Sequence, residues 1–308
     1  MNNLKKIGLT ALAASLVTTS AFAGALTVAG SASMQVKNVT GTKDTGSGKG
    51  FTMGNQITFS GGGELDNGLN VSLSMVIDQA DDTLPFDAQS VTVSSDALGT
   101  FKFSGEGGSS AQGAMDAGAA GDLWNNGTGV AEIAGAAAGD NSMFYTLPAM
   151  VDGVAVTASV SPGKHEQKTL TSVGVVYTGV EGLTLKYGTG DSGTPAAETT
   201  STTMMASYAI GSFTLAASNT TADNQGSADR EVDSMKLSYT VSGDMSVHYG
   251  TETFETEAAA TDEEIENFGI SYTTGGMTVS ANTFETKGAG NTAGAKTERW
   301  ALSAAFAF

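Results

Sequence analysis

The sequence predicts an all-β fold: a transmembrane, antiparallel, up-and-down β-barrel of about 16 strands. Side chains alternate between apolar and polar along most of the chain, the period of a strand with two unlike faces. Short turns alternate with long polar connections, the asymmetry of a barrel that crosses a bilayer. Beyond the first residues no stretch approaches the roughly 20 apolar residues that a spanning helix needs. Composition agrees, with 41 glycines, 4 prolines and only 15% charged residues among 308.

At the N-terminus, Lys5 and Lys6 precede an apolar run from Ile7 to Val17, followed by Ala21-Phe22-Ala23. This order describes a secretory signal peptide over residues 1–23, leaving a barrel domain over residues 24–308. The first strand then places Leu26, Val28, Met34 and Val36 on one face and Ser31, Ser33, Gln35 and Lys37 on the other. Val71, Leu73, Met75 and Ile77 alternate with serines, and Phe101 and Phe103 flank Lys102. Further on, Met235, Leu237, Tyr239 and Val241 alternate with Ser234, Lys236, Ser238 and Thr240. The last strand sets Trp300, Leu302, Phe306 and Phe308 against Arg299, Ala301, Ser303 and Ala305.

Short turns fall at Asp66-Asn67-Gly68, 95–99, 149–153, 179–182, Ile210-Gly211, Ser242-Gly243 and 274–276. Long connections fall at 39–50, 80–86, 107–140, 161–168, 191–198, 221–230, 255–264 and 287–296. Together these separate sixteen strands, with fourteen or eighteen as alternatives. A soluble β-sandwich fits each strand alone. An even series with one apolar face throughout leaves no second sheet to cover that face, whereas lipid covers it directly.

Composition removes several functions. The absence of cysteine excludes disulfide scaffolds, thiol nucleophiles and thiolate metal sites. An acidic chain with only two arginines, Arg230 and Arg299, is a poor nucleic-acid binder. His165 and His248 are the only imidazoles, and neither sits near a nucleophile elbow, so no catalytic residues are expected. The Asp81-Asp82 stretch lacks calcium-loop spacing; no metal site and no cofactor are expected.

Two regions carry a family resemblance. The terminal strand, with Trp300, Leu302, Phe306 and the final Phe308, resembles the signal read by the outer-membrane barrel-assembly machinery of Gram-negative bacteria. The third long connection, 107–140, is by far the longest and leads into Asn141-Ser142-Met143-Phe144-Tyr145-Thr146-Leu147-Pro148. It resembles the general porins of Gram-negative outer membranes, particularly the alphaproteobacterial type. That resemblance implies a third loop folded into the lumen, a homotrimer, passive diffusion of small hydrophilic solutes and ions, and contact with outer-membrane lipids and lipopolysaccharide. The chain departs from the pattern in having two arginines where those porins carry a cluster.

Under this reading the polar parity directs Lys37, Lys102, Lys186, Lys236 and Arg299 into the lumen, while the loop supplies Asp116, Asp122, Glu132 and Asp140. Opposed charges of this kind would set a transverse field across the opening. Removing Lys5 and Lys6 leaves 12 basic against 32 acidic side chains, a formal charge of −20. That excess predicts a weak preference for cations. A substrate-specific channel and a non-conducting adhesin or surface-antigen barrel are the alternatives.

Overall fold

The computed structural model describes residues 26–41, 48–78, 87–115, 117–137, 139–163 and 168–308. The expected signal peptide, His165 and much of the connections at 39–50 and 80–86 lie outside them. Sixteen strands are present: β1 (Thr27–Gly41), β2 (Gly48–Glu64), β3 (Asn70–Asp78), β4 (Ala88–Ser95), β5 (Gly99–Glu106), β6 (Ser142–Thr146), β7 (Val154–Ser161) and β8 (Leu170–Val180). They continue as β9 (Leu183–Thr194), β10 (Ala197–Ile210), β11 (Phe213–Asn224), β12 (Arg230–Thr240), β13 (Met245–Thr256), β14 (Glu263–Thr274), β15 (Met277–Lys287) and β16 (Lys296–Ala307). Each pairs antiparallel with its chain neighbours, and β16 pairs back onto β1 to close the barrel. Closure leaves no edge whose N–H and C=O groups would face lipid unpaired.

The alternation read from the sequence becomes two faces. Met34, Met53, Leu215, Leu237 and Leu302 project outward and are exposed, as a lipid-contacting surface requires. The opposite parity runs round the barrel, with register shifts at Gln89/Ser90 and between Tyr177 and Val180. Lys37 stands level with Gly50 and Ala301, Lys236 with Ala216 and Gly250, and Ser172 with Ser159 and Gly190. Tight turns close one end. At Gly99 the backbone takes φ 76°, and a Cβ there would lie 2.3 Å from the Thr146 carbonyl oxygen, so glycine suits both demands.

Several connections are shorter than the sequence suggests. The expected long loop at 191–198 is a tight link at Pro195-Ala196, because β9 and β10 stay paired as far as Thr194 opposite Ala197. The connection at 221–230 likewise narrows to 225–229. Polar composition was the misleading signal. Where a strand rises past the hydrocarbon layer, neither face needs to be apolar and the alternation disappears although the ladder continues. Wall height is uneven: β6 has 5 residues and β4, β5 and β7 have 8 each, against 14 in β10 and 17 in β2. The low stretch flanks the origin of the long loop.

Candidate functional site: the long loop and the polar wall

Residues 107–141 leave β5 and return to β6; their described residues carry two single turns of 3₁₀ helix, Gly113–Met115 and Leu123–Asn126. A segment this rich in glycine and alanine has little helix or strand preference of its own, so its path is fixed by what it bonds to. The Ala111 N–H donates to the hydroxyls of Ser159 (3.0 Å) and Ser172 (2.8 Å), side chains of β7 and β8. Gln112 is fully buried. Its Nε2 donates to Thr203 Oγ1 on β10 (2.8 Å), and its Oε1 accepts from the Ala136 N–H (2.7 Å), tying the two limbs of the loop together. Farther along, Ala119 N–H donates to Ser218 Oγ (2.8 Å) and Ala120 N–H to Ser234 Oγ (2.7 Å). Ser218 and Thr220 donate back to the Ala117 carbonyl. All these wall hydroxyls share the parity of Lys236, opposite to that of Leu215 and Leu237.

Inward glycines make room for this seat. A Cβ at Gly174 would meet the Ala111 carbonyl oxygen and Met115 Cε at 2.7 Å, and one at Gly188 would meet Met115 Cγ at 2.6 Å. Beyond residue 120 the contact becomes apolar. Ala120, Leu123, Trp124, Val130 and Ile133 pack with Ala222, Val232, Phe254, Ile265 and Phe284, which occupy the otherwise polar parity of β11 to β15. Trp124 meets Phe254 edge-on at 5.4 Å between ring centroids. Inside this patch Glu252, fully buried, accepts hydrogen bonds from Leu123 N–H (2.7 Å) and Ser234 Oγ (3.2 Å).

The two arginines sit at the return limb. Arg230 Nη1 donates to the carbonyls of Ala131 (3.2 Å) and Glu132 (2.9 Å), its Nη2 pairs with Glu263 (3.2 Å), and its guanidinium lies 5.5 Å from the Phe254 ring centroid. Arg299 donates to the Asn126 carbonyl and to Gln35 Oε1 (3.0 Å), with its guanidinium 5.0 Å from the Phe284 centroid.

The residues singled out from the sequence are distributed as follows. Asp116 lies outside the described residues. Asp122 is half-buried in the left-handed conformation (φ 50°), its Oδ1 accepting from the Gly118 N–H; Glu132 and Asp140 are exposed. Lys37, Lys102, Lys186 and Lys236 are half-buried on the polar parity, and Arg299 is buried. They do not form one bank. Lys186 and Lys236 stand on β9 and β12, strands that the loop covers, whereas Lys37 and Lys102 stand on β1 and β5. Trp300, Leu302, Phe306 and Phe308 share the outward parity, and Phe308 exchanges both backbone hydrogen bonds with Gly30. At the loop-bearing end, Lys168 bonds Glu198 (3.1 Å) with Asp191 at 3.8 Å. The Glu198 hydrogen bond raises the ammonium pKa above its ordinary value.

Sequence reasoning passed over the wall hydroxyls, the inward glycines and the apolar patch. Two signals were present. Glycine inside a strand marks close backbone approach, as at Gly174, Gly188 and Gly250. Val232, Phe254, Ile265 and Phe284 break the parity on which their neighbours are polar.

A closed sixteen-stranded barrel, apolar outside and polar inside, defines an outer-membrane channel protein. The chain matches the Gram-negative porin family over residues 8–250 and belongs to it. It is an outer-membrane channel for passive diffusion. Among solved structures it is similar to an anion-selective porin from Comamonas acidovorans (TM-score 0.69, 15% identity, covering 92% of this chain and 99% of that one). It is also similar to the in-vitro folded trimer form of OmpT from Vibrio cholerae (TM-score 0.71, 13% identity, 92% and 99%). A mutant Rh. blastica porin gives a TM-score of 0.66 at 14% identity, covering 92% and 100%. No curated protein sequence matches the chain.

Proposed function

We infer that residues 107–141 lie inside the barrel and narrow it, making a constricted pore for small hydrophilic solutes and ions with a weak preference for cations. One observation supports this above others: the loop backbone at Ala111, Ala119, Ala120 and Leu123 bonds to side chains of the inward parity. Asp122, Glu132 and Asp140 then form the acidic side of the opening. Lys37 and Lys102 face them from β1 and β5, and Lys186 and Lys236 stand on β9 and β12. A field between these groups orders water and disfavours apolar solutes. The barrel does this by geometry and charge, with no catalytic step.

The working unit on this reading is a homotrimer in contact with outer-membrane lipids and lipopolysaccharide. The segment Trp300, Leu302, Phe306 and Phe308 serves as the signal for the barrel-assembly machinery. Planar-bilayer recording under a salt gradient tests the whole: stepwise currents in threes and a small cation-favouring reversal potential are expected. A chloride-favouring potential would sink the selectivity, and a folded barrel without conductance would sink the pore in favour of an adhesin. Saturable block by one solute would instead mark a substrate-specific channel.

A further inference from the structure

We propose that Arg230 and Arg299, the chain's only arginines, are positioning residues that clamp the return limb of the long loop and so set the pore opening. The proposal rests on the loop lying inside the barrel. Each guanidinium is placed alike: over an inward phenylalanine ring, with N–H groups directed at loop carbonyls. The carbonyls held are those of Asn126 at one end and of Ala131 and Glu132 at the other. Between these points the chain turns through Gly127 and Gly129, both in the left-handed region (φ 64° and 81°), and drops Val130 into the apolar patch. The limb is thus pinned on both sides of its most adaptable stretch.

Arginine suits this task and lysine does not. A planar guanidinium stacks on an aromatic face while donating in its own plane to several acceptors, and it is less strongly hydrated than an ammonium. The environment argues against a role as pore charge. Arg299 is 6% exposed and its other partner is the neutral Gln35, itself held by Ser303. The charge of Arg230 is met by Glu263, whose second oxygen accepts from the Gly290 N–H.

Lysine substitution separates the two roles because it keeps the charge and loses the fork. In bilayer recordings Arg230→Lys and Arg299→Lys are expected to give a severalfold rise in open-channel current noise, as large as that of the glutamine variants. The reversal potential should stay near the parent value. Lysine variants with the parent's quiet current, beside glutamine variants with a shifted reversal potential, would overturn the clamp. Phe284→Leu removes the platform under Arg299 without touching a charge and should reproduce the noise; a quiet current there also overturns the clamp at Arg299. Limited proteolysis reads the loop independently of conduction, with cleavage within 107–141 expected in the variants and not in the parent; an uncleaved loop in folded variants overturns the proposal. A parent barrel that does not conduct would count against the pore, and the proteolysis would still decide the clamp.

Discussion

Glu252 holds a carboxylate inside the wall against neutral donors, among them the Leu123 N–H and the Ser234 hydroxyl. Ser234 also accepts the Ala120 N–H, so two N–H groups of the loop converge on two side chains that are bonded to each other. Removing the carboxylate leaves buried donors unsatisfied, which costs about 1–3 kcal/mol at the site. Glu252→Ala is therefore expected to loosen residues 120–124 and raise current noise. The melting temperature of the barrel, read by heat-modified electrophoretic mobility, should move little, since the strand ladder does not pass through this side chain. Noise equal to the parent's would show that the loop tip is held by Trp124 and Leu123 packing alone.

At the scale of elements, the loop and the wall are matched by what each omits. The wall omits side chains at Gly174 and Gly188, and the loop brings its backbone to those positions. Alanine favours a strand over glycine by about 0.5–1 kcal/mol, so Gly174→Ala should leave the barrel as stable as the parent or slightly more so. Its Cβ would still collide with the Ala111 carbonyl oxygen, 2.7 Å away, and the loop is expected to shift toward the pore axis. The expected result is a lower single-channel current in an undamaged barrel; an unchanged current would mean the loop absorbs the methyl locally. The sequence made the strands legible because lipid on one side and water on the other impose a strict period of two. It left the seat illegible, because hydroxyls at Ser159, Ser172, Thr203 and Ser218 look the same whether they meet water or a loop backbone. Phe254 and Phe284 were the visible exception, apolar groups on a polar parity. The shortened link at Pro195-Ala196 was hidden by the converse effect, a paired stretch beyond the membrane that no longer needs to alternate.

For the whole molecule, net charge and pore charge are different quantities. The chain carries a formal −18, yet Asp223, Glu231, Asp233, Glu255, Glu264 and Glu298 stand on the outward parity of their strands. There they point away from the lumen, and at about 0.1 M salt a charge acts over only about 10 Å. Inward carboxylates of the strands are partly spent on structure, with Glu263 paired to Arg230 and Glu252 bonded to the loop. The proposed cation preference must then come from the few loop carboxylates, set against the wall lysines, and it should be small. Neutralising Asp122, Glu132 and Asp140 together, as asparagine and glutamine, is expected to move the reversal potential toward chloride. Neutralising Glu231, Glu255 and Glu298 on the outer face should leave it where it was. If the outer set shifts the potential as far as the loop set, ions sense the mouth as a whole, and selectivity follows net charge rather than the lining of the constriction.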